Sequence, residues 1–330
     1  MEFKTFSSLN NDVISNLHKI SSDIDIIVGV PRSGLLVAEL ISLYINKPLS
    51  SIDVFLDKKI IKSGNTKNKS GFINDFNKIK KVLIVEDSID TGNSIKEVKE
   101  LLKDYSSDIT FIYLAAYIRS EAKKMVDIYF EIIDDDRMFE WNYLHNKQLE
   151  RVCFDLDGVL CEDPSYEVCQ KDDKYKMFIQ KAPRKLITTR KIGYIVTSRL
   201  EKYRDETKKW LKDNNIEYNE LYMFGGTEEE RKIPGAHAKY KSCIYSKISD
   251  SDLFIESNEE QAYIINQETK KGVFCIDNQS YYNGNISKKY INIKKKRIKY
   301  KTKQFFKKVL GEKKYNMVKT IIKGKNNEIR

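Results

Sequence analysis

The chain has 330 residues and a formal net charge of +11, from 59 Lys and Arg against 48 Asp and Glu. Residues 288–330 carry 17 Lys and Arg against two Glu, so this segment has a net charge of +15 and the first 287 residues have −4. With 41% hydrophobic residues, five Pro and 14 Gly, the composition excludes collagen-like and low-complexity chains, and no apolar run approaches the ~18 residues that span a bilayer.

The N-terminus lacks the apolar core and small-residue cleavage site of a signal peptide. The five Cys form no C-x-x-C pair, so reduced thiols are the simplest interpretation. Both observations predict a cytoplasmic protein.

Short apolar runs alternate with amphipathic stretches, which is the pattern of an α/β protein with parallel strands. In chain order, strands are predicted at residues 24–30, 81–85, 110–117, 152–156, 194–197, 253–255 and 273–276. Helices are predicted between them, for example at residues 34–45, 94–104 and 203–214. The pattern restarts near residues 144–150. We therefore expect two doubly wound parallel-sheet domains, over residues 1–148 and 149–287, followed by a basic helical tail over residues 288–330.

Two segments of the first half each combine a buried strand with a polar turn and the start of a helix. The first, IIVGVPRSGLL at residues 26–36, offers a guanidinium and backbone N–H groups for a diphosphate at Arg32, Ser33 and Gly34. The second is VLIVEDSIDTGNS at residues 82–94, where Glu86 and Asp87 can accept hydrogen bonds from vicinal hydroxyls. The helix that follows has free N–H groups that suit a phosphate. It is predicted to begin within the five residues Asp90, Thr91, Gly92, Asn93 and Ser94.

These segments resemble the pyrophosphate loop and the phosphoribosyl diphosphate motif of the type I phosphoribosyltransferases, and the resemblance covers roughly residues 1–148. It implies that Glu86 and Asp87 hold the ribose hydroxyls, that residues 90–94 bind the 5-phosphate, and that Mg²⁺ bridges diphosphate and hydroxyls. Pyrophosphate would be displaced at the anomeric carbon, with Asp90 as the candidate general base for the acceptor. The alternative is that the acidic pair is only a solvated turn and helix cap.

The aromatic residues of the first half do not identify the acceptor of the phosphoribosyl group. Phe139 and Trp141 lie where purine-specific members of the family place nucleobase contacts. They fit three roles equally: stacking on a base, stacking on a sugar ring, or closing the core.

The second half begins with VCFDLDGVLC at residues 152–161, in which Asp155 and Asp157 leave a strand on the same side. This segment resembles the first motif of the haloacid dehalogenase (HAD) superfamily. The resemblance implies that Asp155 is the nucleophile, which forms an aspartyl phosphate, and that Asp157 is the general acid and base.

Further parts of the HAD pattern follow in order. The strand YIVTSR resembles the second motif, which makes Thr197 and Ser198 phosphate ligands. Lys241 fits the required lysine, with Lys239 as second choice. About 35 residues separate the first two motifs, which leaves room for a minimal cap only, and an open site resembles those of family members that act on bulky phosphates.

The last HAD motif departs from the family pattern. LFIESN at residues 253–258 has Glu256 where an Asp pair is expected, with Asn258 nearby. We expect Mg²⁺ to be held by Asp155, the Asp157 backbone carbonyl and Glu256, with Asn258 assisting.

The tail mixes Lys runs with two short apolar patches, at residues 305–310 and 317–322. This pattern favours an amphipathic anchor on an anionic membrane surface, where each basic residue contributes about 1 kcal/mol. The alternatives are a nucleic-acid-binding tail, which we do not expect, and a solvated terminus.

Together, these features predict a bifunctional enzyme at the inner face of the cell membrane. It would transfer 5-phosphoribosyl from phosphoribosyl diphosphate to a lipid-linked glycan and then remove the 5-phosphate, which gives a β-ribofuranosyl residue in a bacterial surface polysaccharide. This combination resembles the phosphoribosyltransferase–phosphatase pairs of polysaccharide assembly. One alternative is a nucleobase phosphoribosyltransferase with a nucleotide phosphatase, and another is an RNA-binding regulator that senses phosphoribosyl diphosphate.

Overall fold

The computed structural model describes residues 1–61, 72–73, 75–105, 108–169 and 171–284. The basic segment 288–330 lies outside these residues, so its helices and its membrane contact stay predictions. Within the described ranges, no helix combines the length and the apolar character needed to cross a membrane.

The first part of the chain alternates strands and helices, as predicted. The elements are β1 (Glu2–Lys4), α1 (Phe6–Asn16), β2 (Ile26–Gly29), α2 (Ser33–Ile45), β3 (Leu49–Ser51), α3 (Ile52–Leu56), β4 (Lys81–Ile89), α4 (Asn93–Leu101), β5 (Thr110–Ile118), β6 (Ile128–Ile132) and β7 (Arg137–Phe139).

Five of these strands form a parallel sheet in the order β3-β2-β4-β5-β6, which confirms the predicted α/β fold of this half. Strands β2 and β4 are buried almost throughout, as a sheet covered on both faces requires. The chain order reverses between β2 and β4, so the connections after these two strands diverge and leave a crevice at their carboxyl ends. Both motif segments of the first half lie at this crevice.

Strand β4 is longer than predicted. It pairs with β5 as far as Ile89, which lies opposite Ile118, so Glu86 and Asp87 belong to the strand and not to a loop after residue 85. The sequence-based boundary was wrong because an acidic pair ordinarily ends a buried strand. Here the ladder with β5 continues past it.

The second part of the chain repeats the alternation. Its elements are β8 (Val152–Phe154), α5 (Tyr166–Cys169), α6 (Asp172–Lys181), β9 (Ile192–Leu200), α7 (Arg204–Asp213), β10 (Tyr218–Phe224), α8 (Glu228–Lys232), α9 (Ala236–Lys247), β11 (Leu253–Glu256), α10 (Glu259–Thr269), β12 (Gly272–Cys275) and β13 (Ser280–Tyr282).

These strands form a second sheet in the order β10-β9-β8-β11-β12-β13, parallel except for β13. Strand β8 is central, with β9 on one side and β11 on the other. Because the carboxyl ends of parallel strands share one edge, the residues that follow β8, end β9 and end β11 are brought together.

A two-stranded parallel sheet of β1 and β7 joins the two halves. Side chains alternate between the faces of a strand, and both strands use this property. Phe3 and Met138 pack into the core of the second half, whereas Phe139 packs into the core of the first. Lys4 faces the first half as well, where its ammonium pairs with Glu131 at 2.6 Å. The predicted domains therefore share a seam, and their boundary at residue 148 stays a prediction.

Replacing Phe3 with Ala tests this seam. Phe3 is 2% exposed and lies 4.8 Å from the Phe274 ring and 5.3 Å from the Tyr281 ring, measured between centroids. We expect Phe3→Ala to lower the free energy of unfolding by about 3–5 kcal/mol, as buried Phe truncations do. Phe6→Ala is the matched control, because Phe6 is 43% exposed, and it should cost clearly less. Urea denaturation measures both, and equal losses would contradict the role of Phe3.

Candidate functional site

The helix that carries the predicted diphosphate loop packs directly on the acidic pair of β4. Glu86 and Asp87 are only 6% and 7% exposed. A side chain at Gly34, in the first turn of α2, would place its Cβ 2.5 Å from the Val85 carbonyl oxygen and 3.1 Å from Glu86 Cα. Only glycine lets α2 begin this close to β4. The sequence-predicted segments therefore meet in one place.

The loop before α2 presents polar groups at the same edge. Arg32 is exposed and Ser33, the first residue of α2, is half-buried. The peptide bond between Pro31 and Arg32 is cis. The Leu35 N–H donates to the Arg32 carbonyl oxygen at 3.2 Å, but the N–H groups of Ser33 and Gly34 precede the helical hydrogen bonds of α2, so they and the Arg32 guanidinium can bind an anion.

The two carboxylates of β4 differ in their partners. Ser94 donates its hydroxyl hydrogen to Glu86, and Trp141 Nε1 donates to Asp87 Oδ2 at 2.8 Å. Burial raises the pKa of Glu86 to about 7; the Ser94 hydrogen bond opposes this rise and the charge of Asp87 adds to it. Burial likewise raises the pKa of Asp87 above its ordinary value. Glu86 thus titrates near neutral pH.

The predicted phosphate loop turns sharply before α4. Gly92 has φ +78°, a conformation that L side chains rarely adopt, and it precedes Asn93, the first residue of α4. A Cβ at Gly92 would also lie 2.1 Å from Met125 Sδ. Thr91 is exposed and lines a cavity of about 430 Å³ next to this turn.

Asp90, the candidate general base, is held by arginines that the sequence did not single out. It accepts a hydrogen bond from Arg119 Nε at 2.8 Å, and Arg137 Nη2 lies 3.9 Å away. The bond from Arg119 holds the pKa of Asp90 below its ordinary value. An ion-paired carboxylate of low pKa is a weak base, which argues against this role for Asp90. Arg119 follows the carboxyl end of β5, and that position is the signal that would have identified it.

The aromatic residues are engaged with one another. Phe139 is 4% exposed, and Trp141 stacks on it with ring centroids 4.8 Å apart and planes within 9°. Phe6 contacts Trp141 as well, at 5.9 Å between centroids. Three roles were left open for Phe139 and Trp141. Phe139 takes the third one, since its buried side chain closes the core of the first half.

Comparison with known proteins identifies the first half. Residues 5–148 match the family model of the phosphoribosyl transferase domain. This part of the chain is a type I phosphoribosyltransferase domain. The chain is 28% identical over 111 residues to the orotate phosphoribosyltransferase of Thermotoga maritima, an overlap that covers 34% of this chain and 54% of that protein. The chain therefore spans about half the length of this curated relative.

Solved structures of phosphoribosyltransferases also resemble part of the chain. The xanthine-guanine-hypoxanthine phosphoribosyltransferase of Helicobacter pylori is 18% identical, with 42% of this chain and 92% of that chain covered and a TM-score of 0.32. The purine phosphoribosyltransferase of Pyrococcus horikoshii is 22% identical, with the same coverage and a TM-score of 0.33.

Beyond the phosphoribosyltransferase domain, a buried ammonium joins the predicted nucleophile to the end of β11. Lys241 Nζ lies 2.6 Å from Asp155 Oδ2 and 2.7 Å from Glu256 Oε2, and it donates to Gln261 Oε1 at 2.9 Å. Lys241 is 1% exposed, whereas Lys239, the second choice, is exposed. Of the two lysines, Lys241 is therefore the one that contacts the predicted nucleophile, and its role in the reaction stays a prediction.

The charges of this cluster are set by burial and by each other. Burial raises the pKa of Asp155, and the nearby charge of Lys241 opposes that rise. Burial by itself would lower the pKa of Lys241, but Asp155 and Glu256 raise it above its ordinary value. The lysine therefore keeps its proton and holds two carboxylates in one position.

Asp157 is bound by a second buried cation, which sequence reasoning missed. Arg199 is 0% exposed, and its Nε and Nη2 donate to the Asp157 carboxylate at 2.6–3.1 Å. Burial by itself would raise the pKa of Asp157, but Arg199 holds it below its ordinary value. Arg199 directly follows the predicted phosphate ligands Thr197 and Ser198 in β9, and this adjacency was the available signal.

The two hydroxyls near the end of β9 are placed differently. Thr197 Oγ1 accepts a hydrogen bond from the Arg199 backbone N–H at 3.2 Å. Ser198 Oγ is buried and has no hydrogen-bond partner within the described part of the chain. Both side chains lie at the edge of the sheet that carries Asp155, and the hydroxyl of Ser198 has its hydrogen-bonding capacity free.

The predicted Mg²⁺ site has two converging carboxylates. Asp155 and Glu256 meet at Lys241, whereas Asn258 Oδ1 accepts from the Gln261 backbone N–H at 3.0 Å and caps α10. In the described ranges, no three Asp, Glu, His or Cys side chains are grouped to enclose a metal ion. All four carboxylate oxygens already accept hydrogen bonds, from Lys241 or from backbone N–H groups. Carboxylates are nevertheless the ligands that Mg²⁺ takes, usually one or two of them beside several water or substrate oxygens, and Mg²⁺ binding here stays a prediction.

Titration of Glu86 gives the first test of these sites. A hydroxyl donates more strongly to a carboxylate than to a neutral carboxyl, so the affinity for phosphoribosyl diphosphate should rise through the pKa of about 7. Calorimetric titrations from roughly pH 6 to 8 measure this rise, and Glu86→Gln should bind more weakly and remove it. Ser94→Ala removes a bond that lowers this pKa, so it should move the rise to higher pH. A pH-dependent rise that persists in Glu86→Gln would contradict the assignment.

Lys241 and Lys239 offer a matched pair on helix α9. Lys241→Met leaves two buried carboxylates without their cation, so the free energy of unfolding should fall by about 3–5 kcal/mol. Lys239→Met removes an exposed charge from the same helix and should change it by no more than about 0.5 kcal/mol. Urea denaturation monitored by circular dichroism gives both values. Similar losses in the two variants would show that the buried cluster does not depend on Lys241.

Proposed function

We propose that this protein transfers the 5-phosphoribosyl group of phosphoribosyl diphosphate to a hydroxyl of a glycan and then removes the 5-phosphate. The product would be a β-ribofuranosyl residue in a bacterial surface polysaccharide. The observation that carries the proposal is the cluster in which Lys241 binds both Asp155 and Glu256, on the same chain as a phosphoribosyltransferase domain. A lysine that holds a nucleophilic carboxylate beside a second acid suits phosphoryl transfer.

The first step relies on placed donors and acceptors. Glu86 and Asp87 would accept from the ribose hydroxyls, and the N–H groups at the start of α4 would bind the 5-phosphate. The loop at residues 32–34 would bind the diphosphate. The acceptor hydroxyl oxygen would bond to the anomeric carbon as pyrophosphate leaves with its bonding electrons and takes up the hydroxyl proton, and inversion of the α-configured donor gives the β linkage. Mg²⁺, when bound, would neutralise charge on the diphosphate.

The second step would use the cluster after β8. Asp155 attacks phosphorus, the bond from phosphorus to the ribose oxygen breaks, and water then hydrolyses the aspartyl phosphate. Lys241 holds the Asp155 carboxylate in place for the attack. For Asp157 to protonate the leaving ribose oxygen and then take a proton from the attacking water, its ion pair with Arg199 has to open, because this contact holds the pKa of Asp157 low. We also propose, as part of this function, that the second half is a HAD-like phosphatase domain.

Two features support a glycan as the acceptor. Trp141 stacks on Phe139 and is in tilted contact with Phe6, so the aromatic rings on which a nucleobase would stack are already engaged. In addition, the basic segment at residues 288–330, outside the described residues, has the composition of an anchor on an anionic membrane. A lipid-linked acceptor at the inner face of the membrane fits this composition.

A second candidate is phosphoribosyl transfer to a nucleobase, followed by removal of the nucleotide phosphate. The identity of 28% with the orotate phosphoribosyltransferase of Thermotoga maritima favours it. In that case the acceptor would be a planar heterocycle, and the product of the second step would be a nucleoside.

An acceptor assay separates these candidates. The full chain is incubated with phosphoribosyl diphosphate, Mg²⁺ and either a synthetic oligosaccharide or a mixture of nucleobases, and the products are analysed by mass spectrometry. The native protein should add ribose to the oligosaccharide. Asp155→Asn should add ribose 5-phosphate instead, because transfer continues and dephosphorylation stops.

Asp87→Asn serves as the reciprocal control, since it should abolish addition and leave hydrolysis of ribose 5-phosphate intact. Consumption of a nucleobase in place of the oligosaccharide would decide for the second candidate. Ribose without phosphate in the Asp155→Asn reaction would contradict the role of Asp155.

A further inference from the structure

Helix α8 brings an arginine to the end of β9, next to the predicted phosphatase residues. Arg231 Nε donates to the Ser198 backbone carbonyl oxygen at 2.7 Å. Its guanidinium carbon lies 5.9 Å from the centre of the Tyr175 ring. One nitrogen of Arg231 is thus fixed, and its two terminal nitrogens make no hydrogen bond to the residues that the structure describes.

Two hydroxyls beside Arg231 are buried and unsatisfied. Ser198 is 6% exposed and Tyr175 5% exposed, and neither hydroxyl has a hydrogen-bond partner in the ranges that the structure describes. A buried polar group without a partner destabilises the protein. Such hydroxyls at the edge of a site indicate a ligand that supplies the missing hydrogen bonds.

The charge of Arg231 is also uncompensated. Within the described residues, no carboxylate lies within 4.0 Å of its guanidinium, whereas the neighbouring Arg199 is neutralised by Asp157. Arg231 is half-buried, and its positive charge contributes to the lowered pKa of Asp157. A half-buried guanidinium without a carboxylate partner favours an anion over a neutral sugar hydroxyl.

The position of Arg231 is prepared before any ligand binds. Helix α8 begins with a capping box, in which Thr227 and Glu230 satisfy each other's backbone N–H groups. The imidazole of His237 hydrogen-bonds the Arg231 backbone, and burial lowers the pKa of His237 to about 4, so this ring adds no charge at neutral pH. A guanidinium held in advance loses little entropy when it binds.

We propose that Arg231, with the hydroxyls of Ser198 and Tyr175, forms an oxyanion subsite that binds the phosphoryl oxygens of a phosphomonoester in the second half of the protein. This subsite rests on the proposed phosphatase function, and it adds two residues, Arg231 and Tyr175, that no motif of the sequence includes. The guanidinium neutralises the phosphoryl charge, while the hydroxyls donate to its oxygens. Bond making and breaking remain with Asp155.

The competing interpretation is that Arg231 only ties α8 to β9. The single hydrogen bond from Nε to the Ser198 carbonyl oxygen would be sufficient for that purpose. A structural tie needs neither an uncompensated charge nor two buried hydroxyls, and it would not change the affinity for phosphate.

Binding of inorganic phosphate to the full chain tests the subsite without requiring turnover. Loss of a charge-assisted hydrogen bond costs about 1.5–3 kcal/mol, so Arg231→Gln should weaken phosphate binding by roughly 10- to 150-fold in calorimetry. Tyr175→Phe removes one neutral donor and should weaken it by roughly 2- to 12-fold, from about 0.5–1.5 kcal/mol. Lys232→Gln is the matched control, because Lys232 is the exposed neighbour of Arg231 and pairs with Glu228 at 2.9 Å. This variant should bind phosphate with the same affinity as the native chain.

Hydrolysis of phenyl phosphate, followed in parallel, separates this inference from the proposed function. Arg231→Gln should lower kcat/KM by the same factor as the affinity for phosphate, with Lys232→Gln unchanged. Equal phosphate affinity in Arg231→Gln and the native chain, or equal losses in Arg231→Gln and Lys232→Gln, would overturn the subsite. Phosphate binding that depends on Arg231, without hydrolysis of any phosphomonoester by the native chain, would support the subsite and refute the phosphatase function.

Discussion

Parallel pairing of neighbouring strands is the constraint on which both candidate sites depend. In a parallel sheet, all strands end at the same edge, so residues distant in sequence meet wherever strands are adjacent. Pairing of β2 with β4 brings Gly34 against Glu86, and pairing of β8 with β11 brings Asp155 within reach of the lysine that also binds Glu256. The chemistry at each edge differs, but the means of assembling it is the same.

Buried ion pairs hold the acidic side chains of the second half in one arrangement. Asp155 and Glu256 share the ammonium of Lys241, and Asp157 is matched by the guanidinium of Arg199. Such pairs contribute little net stability, because desolvation offsets most of their attraction, but each is costly to break. Their effect is to allow one arrangement of side chains at the sheet edge. Arg231 differs because its charge has no carboxylate match among the described residues.

The seam of β1 and β7 connects the halves through alternating side chains. Met138 enters the second core, whereas Arg137 and Phe139 on either side of it face the first. Arg137 Nη2 donates to the Ile89 carbonyl oxygen at 2.6 Å, just before the predicted phosphate loop. Strand β7 thus connects the core of the second half, through Met138, to the end of β4 beside the predicted phosphate loop, through Arg137.

The sequence by itself determined the α/β alternation, the parallel sheet of the phosphoribosyltransferase domain and the position of Asp155 after β8, because apolar runs and the acids beside them are local patterns. It placed Glu86 and Asp87 after a strand that in the structure continues past them, because the pairing of β4 with β5 is not a local pattern. It also ranked Lys241 above Lys239 from helical periodicity. Only the tertiary structure showed which side chains bind the acidic residues. Arg199 binds Asp157 and Trp141 donates to Asp87, and each pair is separated by tens of residues in the sequence. Local patterns carry burial and periodicity, whereas the pairing of charges across strands depends on which strands become neighbours.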